Sequence, residues 1–414
     1  MTNDTTIYSE FNVPTVINAV GTKTRVGGPR MRPEAADAMR AAARSGAHIS
    51  ELQAKASERI SEATGAEAGY VTTGASAALT LATAACIAGD DLGRMARLPK
   101  TGDAPNEIVL PRSQRNCYDR AFHVGGGTIV EIGNNDHTLG VAATNVHPWE
   151  IEDAISDRTA AIAHLPKQAT QLPLEMVVEI AHDNDVPVIV DGAATLPPKE
   201  NLRRYIDAGA DLVAFSGGKA IRGPQATGIL AGRADLIRSV ACQQLDWDVT
   251  DTVWDPPESL FGDTSPTGIP RLGIGRGFKV GTEELVGLLR ALECYLEEDE
   301  QELHETLLDR AMMICEGVTG ISGVEASVTP DIESEVSAAN HRSEVIPEVV
   351  LKIDPDATGL DAVALAEGLR EERPRIVLGA DRALDGQLSI NPFSLSDEEA
   401  RYVIDQIRGQ LTDR

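Results

Sequence analysis

The chain has 414 residues, enough for a large core with a smaller companion domain. Its net charge of −27 and pI near 4.6 repel phosphate backbones, so a nucleic-acid partner is not expected. Five scattered cysteines without a CxxC pair speak against a disulfide framework and against a metal site, and neither a signal peptide nor a bilayer-spanning run is visible, so a cytoplasmic protein without membrane contact is expected.

The surface is also poor in lysine, with arginine the dominant cation, a balance that fits a protein working in high salt. From the start, Val13–Gly28 reads as an irregular arm with a short apolar piece at Thr15–Ile17. Pro33–Ser45 and Glu51–Thr64 read as helices, with Ser50 as the cap of the second and His48 between them. Gly69–Thr73 is a strand that leads through Gly74, Ala75 and Ser76 into an Ala-rich helix. Small residues there allow tight packing, and they also leave backbone N–H groups free at a helix start, where an anion binds. Leu92–Asn106 reads as a loop and Glu107–Leu110 as the next strand, with a helix beginning near Ser113. Further alternation follows: strands at Thr128–Ile132 and Thr159–His164, helices at Pro148–Ser156 and Leu174–Asn184.

The stretch Val186–Leu230 organises the rest. Val186–Val190 is an apolar run that stops at Asp191, and Asp211–Phe215 is a second that stops at Ser216, Gly217, Gly218 and Lys219. In an open α/β sheet, ligands sit at the carboxyl ends of strands. One carboxylate and one lysine at adjacent strand ends suit pyridoxal 5'-phosphate (PLP), which needs a lysine for attachment and an acid for its pyridinium nitrogen. Ser216 can meet the cofactor phosphate. Ala193, two residues past Asp191, points to the same side and can lie flat beneath the ring. Gln168, in a loop after a strand end, is a candidate ring contact.

Beyond the lysine loop, Gly228–Ala231 returns as a strand. Trp247–Pro270 is a long Asp-, Pro- and Gly-containing connection, and Arg276 follows in a Gly-rich loop. That arginine is either a surface residue or a ligand for a phosphate, of the substrate or of a neighbouring subunit's cofactor. Glu283–Leu296 reads as a helix capped by Thr282. Strands at Gly323–Val328, Glu348–Ile353, Arg375–Leu378 and Gln387–Ile390, with helices at Leu360–Glu371 and Ser396–Leu411, make a smaller α+β unit. The expected division is an arm over 1–30, a large cofactor-binding domain over 31–300 and a small domain over 301–414.

The motifs INAVGTKTRVGG, TGAEAGYVTTGASAALTLATAACIAG, PVIVDGAA…LPP…GADLVAFSGGKAIRGPQATG and GIGRGFKVGTEELVGLLRALE together span most of the chain. They resemble the PLP-dependent selenocysteine synthase (L-seryl-tRNA(Sec) selenium transferase)-like family, on the side of its D-glucosaminate-6-phosphate ammonia-lyase-like branch. The resemblance implies the aspartate-aminotransferase fold (PLP fold type I), with a large, mainly parallel sheet and a small α+β domain, in a homodimer or larger homo-oligomer. It implies that Gly74, Ala75 and Ser76 hold the cofactor phosphate. It places Gln114 or Arg115 where related enzymes cover one face of the ring, with Arg115 alternatively reaching a substrate anion or standing in solvent. It also offers Arg25, in an arm that folds over the site, to an anionic substrate group.

The implied reaction is α,β-elimination. Lys219 is the natural base for the Cα proton, a β-substituent leaves, and the product hydrolyses to a 2-oxo acid and ammonia. The expected substrate is a hydroxylated amino acid or an amino-sugar acid. Transfer of selenium to seryl-tRNA is the alternative. The resemblance begins near residue 12, without the N-terminal tRNA-binding region of those enzymes, and the net charge has the wrong sign for tRNA. A non-catalytic PLP-binding protein is the third reading, against which Lys219 and Asp191 both stand. Aminotransferase and racemase activities belong to the same fold and stay open.

Overall fold

A computed structural model describes residues 6–134, 146–166, 172–262, 268–329 and 346–412. In chain order the strands are β1 (Val16–Ala19), β2 (Ala68–Thr72), β3 (Glu107–Pro111), β4 (Thr128–Ile132), β5 (Thr159–His164), β6 (Val188–Asp191), β7 (Leu212–Ser216), β8 (Gly228–Gly232), β9 (Val324–Thr329), β10 (Glu348–Ile353), β11 (Arg375–Leu378) and β12 (Gln387–Ile390). They divide between two compact units, Met31–Glu297 and a second made of Met1–Arg30 with Glu298–Arg414.

The larger unit is built on a seven-stranded sheet in the order β2-β8-β7-β6-β5-β3-β4. The pairs β4/β3, β3/β5, β5/β6 and β6/β7 are parallel, whereas β8 runs antiparallel to both β7 and β2. Strands β2, β5 and β8 are buried along their whole length. This is why they read as unbroken apolar runs: helices cover both faces of the sheet. Alternation along each strand feeds two separate cores. Val188, Val190, Val213, Phe215 and Ile229 face one, and Ile189, Leu212, Ala214 and Leu230 face the other. The helix Ala75–Ala88 is apolar on nearly every side because it is buried on nearly every side.

The smaller unit has a three-stranded antiparallel sheet, β12-β10-β9, and a parallel pair in which β1 of the N-terminal arm lies against β11 with Ile17 opposite Ile376. Helices Glu300–Val318, Ala362–Glu371 and Asp397–Thr412 contribute Ile314, Leu365, Val403 and Ile407 to its core. The arm therefore contributes one strand to this unit.

Several local expectations change. Leu92–Arg97 is a short helix inside the expected loop, because Asp91 accepts the Arg94 N–H at 3.0 Å and caps it. The second helix begins at Ile49, ahead of Ser50. The helix expected near Ser113 is split into 3₁₀ turns at Arg112–Gln114 and Cys117–Asp119 before Arg120–Val124, because Asn116 and Asp119 form a reciprocal capping box in between. Glu300–Val318, capped by Asp299, is a long helix that the sequence reading did not assign.

Candidate active site

The parallel strands bring their carboxyl ends to one edge, and the candidate residues gather there. Asp191 is the last residue of β6 and pairs with Ala214 of β7. Its Oδ1 accepts the N–H of Ala193 at 3.1 Å, and Gly192 N donates to Ala214 O at 2.9 Å, so the turn after Asp191 is tied down on both sides. A Cβ on Gly192 would stand 3.0 Å from the Phe215 ring, so the small residue lets this turn lie against β7. Ala193 is half-buried beside it.

Lys219 sits in the loop that joins β7 to β8, and the loop is closed at its base by the ladder pair Ser216–Gly228. Gly217 N donates to Thr227 O and Gly223 N to Gly217 O, each at 2.9 Å. A Cβ on Gly218 would fall 2.6 Å from Gln225 Cα, so the loop folds back on itself only with glycine at that position.

On the other side of β8, Gly228 pairs with Thr72 of β2. Just beyond, Gly74 has φ +95° and begins the helix Ala75–Ala88. A Cβ on Gly228 would be 2.5 Å from Gly74 C and 2.7 Å from Ala75 N, so the returning strand runs directly beneath the helix start. Gly74 and Ala75 are half-buried and Ser76 is exposed, while most of the helix after them is buried. The first turn carries no acidic side chain. Free backbone N–H groups, the helix dipole and this open first turn form a cradle for an anion. With strands about 5 Å apart, Asp191 stands one strand from β7 and the cradle about 10 Å from it on the opposite side. The set of anion cradle, lysine and carboxylate fits PLP.

A polar relay fixes the neighbouring Gly-rich segment Ile274–Phe278. Tyr70 OH donates to Gln244 Oε1 at 2.7 Å, Gln244 Nε2 donates to Phe278 O at 2.9 Å, and Thr73 Oγ1 donates to the same carbonyl at 3.3 Å. Burial holds the Tyr70 hydroxyl protonated by pushing its pKa up. Arg276 lies in this segment and meets Asp246 at 2.7 Å.

Other residues singled out in the sequence are engaged elsewhere. Gln114 is buried, and its Oε1 accepts the Leu165 N–H at 2.7 Å, bracing the exit of β5. Arg115 is held between the carboxylates of Asp119 and Glu131. Arg25 is exposed in the 3₁₀ turn Thr24–Val26 of the smaller unit. Gln168 lies outside the described residues. His164 was not singled out. It is buried as the last residue of β5, opposite Val190 and so next to the strand end that carries Asp191. Its signal was a polar residue closing the apolar run TAAIAH at a carboxyl end. It also lines a mostly apolar cleft with Pro111, Gln114, Ile132 and Ile162. Among the described residues no cluster of side chains could hold a metal ion, and no helix is long and apolar enough to cross a membrane.

The chain is similar to several known proteins. The Aminotransferase class-V family matches residues 124–250. A 5'-C-glycyluridine monooxygenase-decarboxylase from Streptomyces sp is 31% identical over 98% of this chain and 92% of its own length. A D-glucosaminate-6-phosphate ammonia lyase from Salmonella typhimurium is 29% identical over 97% of both chains. An L-seryl-tRNA(Sec) selenium transferase from Actinobacillus pleuropneumoniae is 29% identical over 40% of this chain and 39% of its own. The solved structure of a D-glucosaminate-6-phosphate ammonia-lyase superposes with a TM-score of 0.78 at 27% identity, covering 100% of this chain and 99% of that one. The fold is PLP fold type I, and the cofactor is pyridoxal 5'-phosphate.

Proposed function

Because the chain belongs to the selenium transferase-like family of PLP-dependent enzymes, we propose that it is an ammonia-lyase. It would convert a hydroxylated amino acid or amino-sugar acid, by α,β-elimination, to a 2-oxo acid and ammonia. The observation that carries this reading is Asp191 at the end of β6, next to the β7–β8 loop that carries Lys219, with the helix start at Gly74 across β8, in a chain alike over 97% of its length to an ammonia lyase. PLP supplies an electron sink that makes a Cα proton removable.

The chain's own residues do the rest. Gly74, Ala75 and Ser76 would offer backbone N–H groups to the phosphate, with Ser216, at the ladder pair Ser216–Gly228, as a further donor. Asp191, kept in place by the Ala193 N–H, would hold the positive charge on the ring nitrogen. Ala193, half-buried beside this turn, would lie under the ring. Lys219 Nζ would hold the cofactor at rest and, once the substrate's amino group has taken its place there, would be free to take the Cα proton and give a proton to the leaving hydroxyl. Arg276, aimed by Asp246, is the strongest candidate for an anionic group of the substrate or of a neighbouring copy's cofactor in a homo-oligomer. Arg115 already faces two carboxylates, so recruiting it requires one of them to yield. Arg25, exposed in the arm, is a further candidate for an anionic group of the substrate.

A second reading is oxidative decarboxylation, favoured by the 31% identity to a monooxygenase-decarboxylase. One experiment separates the two. The PLP-loaded protein is given 3-hydroxy-2-amino acids and amino-sugar acids, with and without phosphate, under air and under nitrogen. Elimination gives 2-oxo acid and ammonia in equal amounts under both gases, with no added oxo acid. Oxygen uptake with loss of carbon dioxide favours the second reading, and dependence on an added oxo acid means transamination.

A further inference from the structure

We propose that Arg32 is a positioning residue for Lys219, holding the two carbonyls that follow the lysine turn. This rests on Lys219 being the residue that carries the cofactor. The chain turns immediately after that lysine: Arg222 N donates to Lys219 O at 3.0 Å, and Arg222 has φ +57°. Left-handed backbone is strained for a long side chain, and such a residue persists only where its surroundings hold it there.

Arg32 supplies that hold twice. Its Nε donates to Ile221 O at 2.9 Å, and its backbone N donates to Arg222 O at 2.9 Å. Ile221 is fully buried and Arg32 is 8% exposed, so this is a charge-assisted bond shielded from water. Arg32 is itself firmly placed. It directly precedes the helix Pro33–Ala42, whose first residue is proline. That helix packs against Thr282–Glu297 so closely that a Cβ on Gly287 would stand 2.5 Å from Met39 Cγ and 2.9 Å from Pro224 Cγ. The lysine thus lies between two anchors. Before it, Ser216 is in the sheet ladder; after it, the carbonyls of 221 and 222 are fixed by Arg32. A lysine amino group rides on a flexible stem, so its position depends on where its Cα is held. A misplacement of about 1 Å costs about a hundredfold in a reaction that requires alignment.

The test uses the full chain loaded with PLP, as wild type, Arg32→Met and Arg32→Lys. Methionine keeps the length and packing of the stem without the donors. Lysine keeps the charge but has no donor at the Nε position. Three things are measured: the melting curve without cofactor, the pH dependence of the visible band of the lysine-linked cofactor, and the rate of cofactor loss on dilution. R32M should melt within a few degrees of wild type, lose cofactor about 10- to 100-fold faster and show a displaced pH midpoint. R32K should show the same changes at smaller size, and it decides the matter if R32M does not fold. Wild-type midpoint and release rate in whichever variant folds would overturn the proposal. So would failure of both to fold, since Arg32 would then serve the fold and not the lysine. A wild-type protein without a visible band on PLP addition would instead remove the site reading itself.

Discussion

Replacing Gly228 with alanine places a methyl group under the start of the helix Ala75–Ala88. The new Cβ would be 2.5 Å from Gly74 C and 2.7 Å from Ala75 N, about 1 Å inside ordinary contact. Both neighbours are backbone, so no rotamer change relieves the clash. The helix cannot slide away as a body, because Ala77–Ala85 are buried without a break against the second core. The strain must fall on the first turn, whose N–H groups are the proposed phosphate cradle. Overpacking of this kind costs about 1–3 kcal/mol of stability. A cradle displaced by a large part of that 1 Å should weaken PLP binding by about 10- to 100-fold. The assay is titration of the cofactor-free protein with PLP, followed by absorbance, with melting curves of the same samples. Gly46→Ala is the control, since a Cβ there meets nothing within 4 Å. A G228A protein that binds PLP as tightly as wild type would refute the placement of the phosphate at this helix start.

Asp191→Asn should retain the cofactor but lose turnover by about two to three orders of magnitude, since an amide cannot balance a ring cation; steady-state rates and colour measured together check this. Arg276→Gln should raise KM for a phosphorylated substrate, or the PLP concentration needed for activity, by about 10- to 100-fold. Unchanged values of both would leave Arg276 as a partner of Asp246 alone. Burial pushes the Cys242 thiol up to about 12, whereas Cys117 is exposed. The raised pKa keeps Cys242 in its unreactive thiol form, so at about pH 8 a thiol reagent should mark Cys117 and spare Cys242 until the protein unfolds. Equal rates, read by peptide mass, would show that the helix Ala234–Gln244 opens in the native state.

Much of the candidate site was legible because its residues sit at punctuation marks. Asp191 and the Ser216–Lys219 stretch each end an apolar strand and Gly74 separates a strand from a helix, so the ends of apolar runs mark their positions, while their proposed roles come from the chemistry of the cofactor and from the family resemblance. What could not be read was partnership across the chain. Arg115 and Arg276 look alike in sequence, as glycine- or loop-proximal arginines. Only the fold brings Glu131 to the first, beside its sequence neighbour Asp119, and Asp246 to the second. Gln114 follows a strand end, as a ring contact would, yet its carbonyl accepts the Leu165 N–H from far along the chain. Arg32 carried no local signal, because its importance lies in carbonyls at positions 221 and 222. The pairing of the N-terminal strand with Arg375–Leu378 was hidden for the same reason: parallel partners so distant in sequence leave no turn to mark them.

The most direct measurement is reduction of the PLP-loaded protein with borohydride, followed by digestion and peptide mass analysis. The cofactor should be found on the peptide that contains Lys219, and Lys219→Ala should abolish both the label and turnover. Recovery of the label on another lysine, such as Lys199 or Lys279, would contradict the assignment of the β7–β8 loop as the centre of the active site.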